Sequence, residues 1–78
     1  MPIATLEVDA EAVYEALDRK RRHLRMRRRE VAALLGVSPA AYTYWSQGGG
    51  INADPLLRAC TWLGRDARDF AKKDEDNE

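Results

Sequence analysis

Residues 28–50 read RREVAALLGVSPAAYTYWSQGGG, and this stretch decides the fold. Val31, Leu34 and Leu35 stand at i, i+3 and i+4, the spacing that gives a helix one apolar face. Gly36 ends that helix, because a helix C-terminus favours a residue that adopts left-handed backbone angles. The first eight residues of the stretch are therefore predicted to form a short helix.

Only two residues separate Gly36 from the start of the next predicted helix. Ser38 can cap that helix, and Pro39 suits its first position because the missing N–H would have no partner there. Three residues are expected to face inward: Ala41, Tyr42 and Trp45. The opposite face is uncharged and carries Pro39, Ala40, Thr43, Tyr44 and Gln47. The glycines that follow predict a turn, since no Lys-Ser/Thr follows to make a phosphate-binding loop.

A longer helix is predicted ahead of this stretch, from Ala10 to Leu24, with Asp9 as its N-cap. Its buried stripe has helical spacing: Val13, Leu17 and Leu24. Arg21 falls on the same stripe, so we expect it to be partly buried and to need an ionic or hydrogen-bonding partner. The sequence leaves that partner open between DNA and three carboxylates: Glu15, Asp18 and Glu30.

Two more helices are predicted after the glycines. The fourth is capped by Asn52 and stopped by Gly64. Its buried side is expected to consist of Leu56, Leu57, Cys60 and Leu63. A short fifth helix starts at Asp66 and buries Phe70.

The predicted fold class is all-α, a compact five-helix domain over residues 9–71 with a helix-turn-helix at 28–48. Residues 1–8 are predicted to be an N-terminal arm, in which residues 3–8 are compatible with a strand or a mobile segment. Residues 72–78 are too polar to pack and are predicted to be a disordered acidic tail.

Length and composition restrict the class of protein. The 78 residues suit one domain, and no apolar run is long enough to cross a bilayer, so we expect a cytoplasmic protein without a membrane partner. Cys60 is the single cysteine and His23 the single histidine, which leaves no multi-residue metal site at ligand spacing. We expect no enzyme activity, no metal and no cofactor.

Charge is unevenly distributed along a chain whose net charge is zero. Residues 1–18 carry five acids and no bases, whereas residues 19–29 carry eight bases and no acids. A neutral chain still presents a positive surface when its basic block folds onto one face, and such a surface attracts phosphates. The alternative is that the block is simply a solvated helix face.

Three bases of this block, Arg27, Arg28 and Arg29, stand where the second helix begins. The helix macrodipole disfavours a cation there by about 0.3 to 1 kcal/mol at low salt. Residues that break a local rule tend to be functional, and a phosphate bound at that helix end would reverse the sign of the interaction. We therefore predict that these arginines contact the backbone of double-stranded DNA.

The stretch 29–50, REVAALLGVSPAAYTYWSQGGG, resembles the helix-turn-helix of the Cro and lambda-repressor-like (XRE) family. The family's small, turn and core positions fall on Ala32, Gly36, Val37, Tyr42 and Trp45. The resemblance extends from about Tyr14 to Phe70, with one helix before the motif and two after it. It implies a cytoplasmic transcriptional regulator, often a dimer on a palindromic operator, of a kind common in bacteria and their phages.

The resemblance also assigns site residues. Its base-reading positions fall on Ser38, Pro39, Ala40, Thr43 and Tyr44. Its backbone-contacting positions fall on Arg28 and Gln47, to which the charge pattern adds Arg27 and Arg29. Because the base-reading face is uncharged, we expect a weak base code and a larger contribution from phosphates and DNA shape. Packing is the alternative role for Tyr44.

Two positions depart from the family pattern. Arg25 occupies a place that is often glycine in the family, so either the turn differs or a non-glycine residue adopts a positive φ. Ser46 stands where an acidic residue commonly pairs with the arginine of the first helix, so Arg21 lacks that partner.

A second function is compatible with the same fold: an antitoxin-like or antirepressor-like module whose uncharged third-helix face binds a protein. For a DNA reader we expect a homodimer, because two-fold operators match the symmetry of a dimer. The candidate dimer-interface residues are Ile3, Leu6, Trp62 and Phe70. For Trp62 the alternative is that it covers the core.

Overall fold

The computed structural model describes residues 8–72, which form an all-α fold. Four α-helices follow one another: α1 (Ala10–His23), α2 (Arg28–Leu35), α3 (Pro39–Ser46) and α4 (Ala53–Leu63). One turn of 3-10 helix, Ala67–Phe70, packs against α1 and α4. Val8 forms an isolated antiparallel bridge with Ala71, so the two ends of the described chain lie together.

Local capping signals account for most of the helix boundaries. Asp9 accepts a hydrogen bond from the N–H of Ala12 at 3.3 Å, and Ser38 accepts one from Ala41 at 3.1 Å. The predicted fifth α-helix is instead the four-residue 3-10 turn, capped by Asp66. So few residues cannot build a ladder of i to i−4 hydrogen bonds. The described part of the chain therefore contains four α-helices and this turn.

A single hydrophobic core lies between the helices, and α3 packs against both α1 and α2. Its buried members come from every element: Ala10, Val13, Leu17, Val31, Ala32, Leu35, Tyr42, Trp45, Leu56, Ala59, Cys60 and Phe70. The prediction that Cys60 is a small buried hydrophobe is confirmed. No helix within residues 8–72 is long and apolar enough to cross a membrane.

Three leucines that were predicted to be buried are exposed instead: Leu24 at 48%, Leu34 at 50% and Leu57 at 59%. Leu24 lies beyond the last residue of α1, where helical spacing no longer applies. Leu34 and Leu57 lie beside Leu35 and Leu56, which take the core-facing positions of their short helices.

The predicted dimer-interface residues lie in different surroundings. Phe70 is 4% exposed and belongs to the core, so its side chain is not available to a second copy. Trp62 is partly buried, and the ammonium of Lys20 lies 4.6 Å from the centre of its ring. Ile3 and Leu6 lie outside the described residues, as does the predicted tail beyond residue 72.

Gly36 joins α2 to α3 with a left-handed backbone, φ +74°, and a Cβ added to it would overlap Nη1 of Arg58. We expect Gly36→Ala to lower the free energy of unfolding by about 1 kcal/mol, because the left-handed conformation penalises a Cβ more than the stiffer unfolded chain compensates. Urea denaturation measures this change.

Two control variants distinguish backbone strain at Gly36 from a steric clash with the side chain of Arg58. Gly36→Ala combined with Arg58→Ala should lose the same free energy as Gly36→Ala alone, because the end of a flexible arginine can move aside. Gly50→Ala, where a Cβ would meet nothing within 4 Å, should change the free energy of unfolding by less than about 0.5 kcal/mol. Equal urea midpoints for the parent and Gly36→Ala would contradict the prediction.

Candidate nucleic-acid interface

The outer face of α3 is a continuous uncharged surface. The predicted base-reading residues and one predicted backbone contact are all exposed: Ser38, Pro39, Ala40, Thr43, Tyr44 and Gln47. On the opposite side of the helix, Tyr42 is 0% and Trp45 is 2% exposed. These two aromatic residues anchor α3 in the core and leave the uncharged face directed at solvent.

Tyr44 is exposed and also packs against the glycine turn. Its side chain is 55% exposed, yet its ring covers Gly49, where an added Cβ would overlap the ring carbons. The N–H of Gly49 also donates to the carbonyl of Tyr44 at 3.1 Å. The glycine turn therefore positions the ring, while the rest of the side chain remains available for contact.

The side-chain hydroxyl groups of α3 and its N-cap differ in the hydrogen bonds that they already form within the protein. Ser38 Oγ accepts the capping hydrogen bond from Ala41, which leaves its proton available to a ligand. Ser46 Oγ donates to the carbonyl of Thr43 at 2.6 Å and is used inside the helix. Thr43 itself is exposed.

Arg27, Arg28 and Arg29 are all exposed at the start of α2. None of them forms a salt bridge with a carboxylate in residues 8–72. Glu30 Oε1 accepts a hydrogen bond from the backbone N–H of Arg27 at 2.7 Å, so one carboxylate partly offsets the macrodipole. The helix end still carries three cations against one anion.

The basic block of residues 19–29 is divided by the fold. Lys20 Nζ donates to the carbonyl of Trp62 at 2.5 Å and thereby joins α1 to the end of α4. Arg21 is directed into the protein, and its side chain is only 15% exposed. The exposed arginines of the block are Arg19, Arg22, Arg25, Arg27, Arg28 and Arg29. Lys20 and Arg21 are therefore structural, and the exposed Arg22 also forms a longer ion pair with Asp18, with its Nε 3.8 Å from Oδ2.

Arg21 finds its partner in Asp18, one of the three carboxylates that the sequence left open. Its Nε lies 2.6 Å from Asp18 Oδ1 and its Nη2 lies 3.2 Å from Oδ2, a two-point ion pair. Its third nitrogen, Nη1, donates to the carbonyl of Met26 at 2.9 Å. The prediction that Arg21 is partly buried is confirmed, and it uses its charge within the fold.

Tyr42 completes this cluster from α3. Its hydroxyl donates to Asp18 Oδ1 at 3.1 Å, so a single carboxylate of α1 is bonded to both Arg21 and α3. The hydrogen bonds from Arg21 hold the pKa of Asp18 below its ordinary value, against the effect of burial. Burial, together with the negative charge of Asp18, raises the pKa of Tyr42 above that of a free tyrosine.

The Asp18–Arg21–Tyr42 cluster connects the two parts of the candidate interface. Through Tyr42 it fixes α3, and through the carbonyl of Met26 it fixes the residue that immediately precedes Arg27. The backbone N–H of Met26 also donates to the carbonyl of Arg21 at 2.9 Å. The start of α2 and α3 are thus held by one partly buried ion pair.

Comparisons with protein-family models, with curated proteins and with solved structures gave no match. Among residues 8–72, no group of three or more histidine, cysteine or carboxylate side chains is placed to hold a metal ion. Every buried side-chain nitrogen or oxygen in that part of the chain has a hydrogen-bond partner. The polar groups left for a ligand thus lie on the surface.

Sequence reasoning missed two contacts that shape this region. The pairing of Lys20 with Trp62 joins residues 42 positions apart and has no local signal. The contact of Arg58 with Gly36 places a cation at the C-terminal end of α2, where the macrodipole favours it. The Asp18–Arg21 pair did have a signal, because i and i+3 are neighbours on a helix.

Proposed function

We propose that the protein is a sequence-specific double-stranded DNA-binding transcriptional regulator with a lambda-repressor-like domain, in which the 3-10 turn takes the place of a fifth helix. The observation that carries this proposal is that one cluster fixes two exposed surfaces, the uncharged outer face of α3 and the end of α2 that carries Arg27, Arg28 and Arg29. Arg21 donates to the carbonyl of Met26, just before Arg27, and its partner Asp18 accepts a hydrogen bond from Tyr42 of α3. Such a pair of surfaces suits base edges on one side and phosphates on the other.

In this proposal α3 lies in the major groove. Eight residues of helix are about 12 Å long, and the groove is about 12 Å wide. Ala40 and the methyl of Thr43 suit contact with thymine methyl groups, and the hydroxyls of Thr43 and Tyr44 suit hydrogen bonds to base edges. Ser38 and Pro39 enter the groove first, at the N-terminus of the helix. Specificity per base is then modest.

In this proposal phosphates are bound at two places, the start of α2 and the C-terminal end of α3. Arg28, assisted by Arg27 and Arg29, holds the DNA backbone at the start of α2, where a phosphate reverses the unfavourable interaction of these cations with the macrodipole. Gln47 contacts the backbone beyond the other end of α3. Counterion release from these contacts makes the affinity strongly dependent on salt.

The proposed regulator is a cytoplasmic homodimer that acts as a repressor of bacterial or phage type. A helix this short reads only a few base pairs, and a two-fold dimer doubles the site. The centres of the two half-sites would lie about 34 to 36 Å apart. Trp62 stays the proposed dimer-interface residue within the described chain.

Selection of bound duplexes from a random library tests the proposal. We expect enrichment of a palindrome whose half-sites are centred about one helical turn apart. In a parallel titration with random duplex DNA, binding should weaken steeply as salt increases. Failure to enrich any sequence, together with binding that is insensitive to salt, would reject the proposal.

A protein-interaction module is the second candidate function, and one observation favours it. Leu34 is 50% exposed and lines a groove between α2 and α4 together with Arg58 and Trp62. Contiguous exposed apolar surface is typical of a site that binds protein, and Leu34 and Trp62 supply apolar side chains to this groove. The same salt titration separates the two functions, because a protein-binding module should bind random duplex DNA weakly and without a steep salt dependence.

A further inference from the structure

All four α-helices end in the same kind of turn. The left-handed residue of the turn is glycine after three of the helices and Arg25 after α1. The residue that closes each helix has a left-handed backbone, with φ of 59° at Arg25, 74° at Gly36, 86° at Gly48 and 70° at Gly64. Glycine adopts these angles without steric cost, whereas an L-residue does not. The chain therefore uses glycine at three of these positions and a strained arginine at the first.

The turn after α1 is closed by two backbone hydrogen bonds. Met26 donates to the carbonyl of Arg21 at 2.9 Å, and Arg25 donates to the carbonyl of Arg22 at 3.1 Å. This pair is the Schellman arrangement, in which the left-handed residue is usually glycine. The corresponding donors in the other three turns are Gly36 and Val37, Gly48 and Gly49, and Gly64 and Arg65.

Nothing in the described fold compensates the strain at Arg25. Its side chain is exposed and forms no salt bridge with a carboxylate in residues 8–72. The turn is held in place, because the carbonyl of Met26 also accepts a hydrogen bond from the partly buried guanidinium of Arg21. Strained residues persist where the surrounding structure fixes them, and they concentrate at functional sites.

The position of Arg25 places its charge with the other exposed arginines. Two peptide units separate its Cα from that of Arg27, a distance of at most about 7.6 Å. A guanidinium binds phosphate through two parallel hydrogen bonds, which glycine cannot provide. We propose that Arg25 stands in place of glycine because its guanidinium binds a DNA phosphate next to those bound by Arg27 and Arg28. This inference rests on the proposed function.

Three substitutions at this position separate backbone strain from charge. Arg25→Gly should raise the melting temperature by about 3 to 6 °C, because it removes the left-handed penalty. It should also weaken binding to a random-sequence duplex about 5- to 10-fold near 0.1 M salt and flatten the slope of log K against log salt by about 0.9. Arg25→Ala should weaken binding equally without raising the melting temperature. Arg25→Lys should keep the salt slope.

Arg68→Ala is the matched control for loss of one positive charge. Arg68 is exposed and lies on the 3-10 turn, which contacts α1 and α4 but neither α2 nor α3. Its removal should leave the affinity and the salt slope close to those of the parent. Parent-like binding by Arg25→Ala, or an equal loss in Arg68→Ala, would overturn the inference while leaving the proposed function intact. A parent protein with no salt-dependent binding would overturn both.

Discussion

Replacing Asp18 with asparagine is expected to lower the free energy of unfolding by about 3 to 5 kcal/mol. The substitution keeps the size of the side chain but leaves the guanidinium of Arg21, 15% exposed, without its counterion. It also weakens the hydrogen bond from Tyr42, whose acceptor is no longer charged. A domain of this size is stable by only about 4 to 10 kcal/mol, so the variant should be substantially unfolded at modest urea concentrations.

Two further variants provide reference values for this loss in the free energy of unfolding. Glu15→Gln removes an exposed carboxylate from the same helix and should change the free energy of unfolding by less than about 0.5 kcal/mol. Tyr42→Phe removes one hydrogen bond to Asp18 and should lose about 1 kcal/mol. If Asp18→Asn unfolded at the same urea concentration as Glu15→Gln, the ion pair would not stabilise the fold.

The contribution of ionised Asp18 to the free energy of unfolding should also be visible in the pH dependence of stability. Hydrogen bonds from Arg21 lower the pKa of Asp18 in the folded state, whereas the unfolded value is about 3.9. Its contribution to stability is therefore complete above about pH 4 and is lost as the pH falls through the lower pKa of the folded protein. In acid titrations followed by circular dichroism, the parent should lose stability below about pH 4 more steeply than Asp18→Asn. Parallel curves for the two proteins would contradict this role.

Features with a local cause were predictable from the sequence. Ser38 and Pro39 start α3, and Gly36 ends α2, because capping depends on a few adjacent residues. The face of α3 also followed from its spacing, since Tyr42 and Trp45 are large apolar residues three positions apart. The predicted DNA-contacting residues are all exposed, whereas of the predicted dimer-interface residues within residues 8–72 Trp62 is partly buried and Phe70 belongs to the core.

Features that depend on distant packing were not predictable. Leu34 and Leu57 have the helical spacing of core residues in the sequence. In this small fold, however, the neighbouring helices do not cover these two side chains. The sequence left the partner of Arg21 open between DNA and three carboxylates, because the choice involves Tyr42, 24 residues from Asp18. Periodicity reports which face of a helix is apolar, and it does not report what covers that face.

Replacing Arg27, Arg28 and Arg29 together with alanine is expected to weaken binding to duplex DNA about 500-fold near 0.1 M salt. Each phosphate contact contributes about 0.9 to the slope of log K against log salt, so three lost contacts should flatten that slope by about 2.7. Fluorescence anisotropy at several salt concentrations measures both quantities. Stability should not fall, because all three side chains are exposed and alanine relieves their repulsion by the macrodipole.

The matched control replaces three other bases, Arg65, Arg68 and Lys72, with alanine and produces the same change in net charge. All three are exposed, and they lie after α4, away from the start of α2. If general attraction between the protein and DNA determined affinity, both triple variants would lose it equally. If the arginines at the start of α2 bind phosphates directly, the control should keep most of the parent's salt slope. Equal slopes in the two variants would remove the argument for a specific phosphate contact at α2, whereas a flattened slope in the α2 variant alone would assign the contact to that helix end.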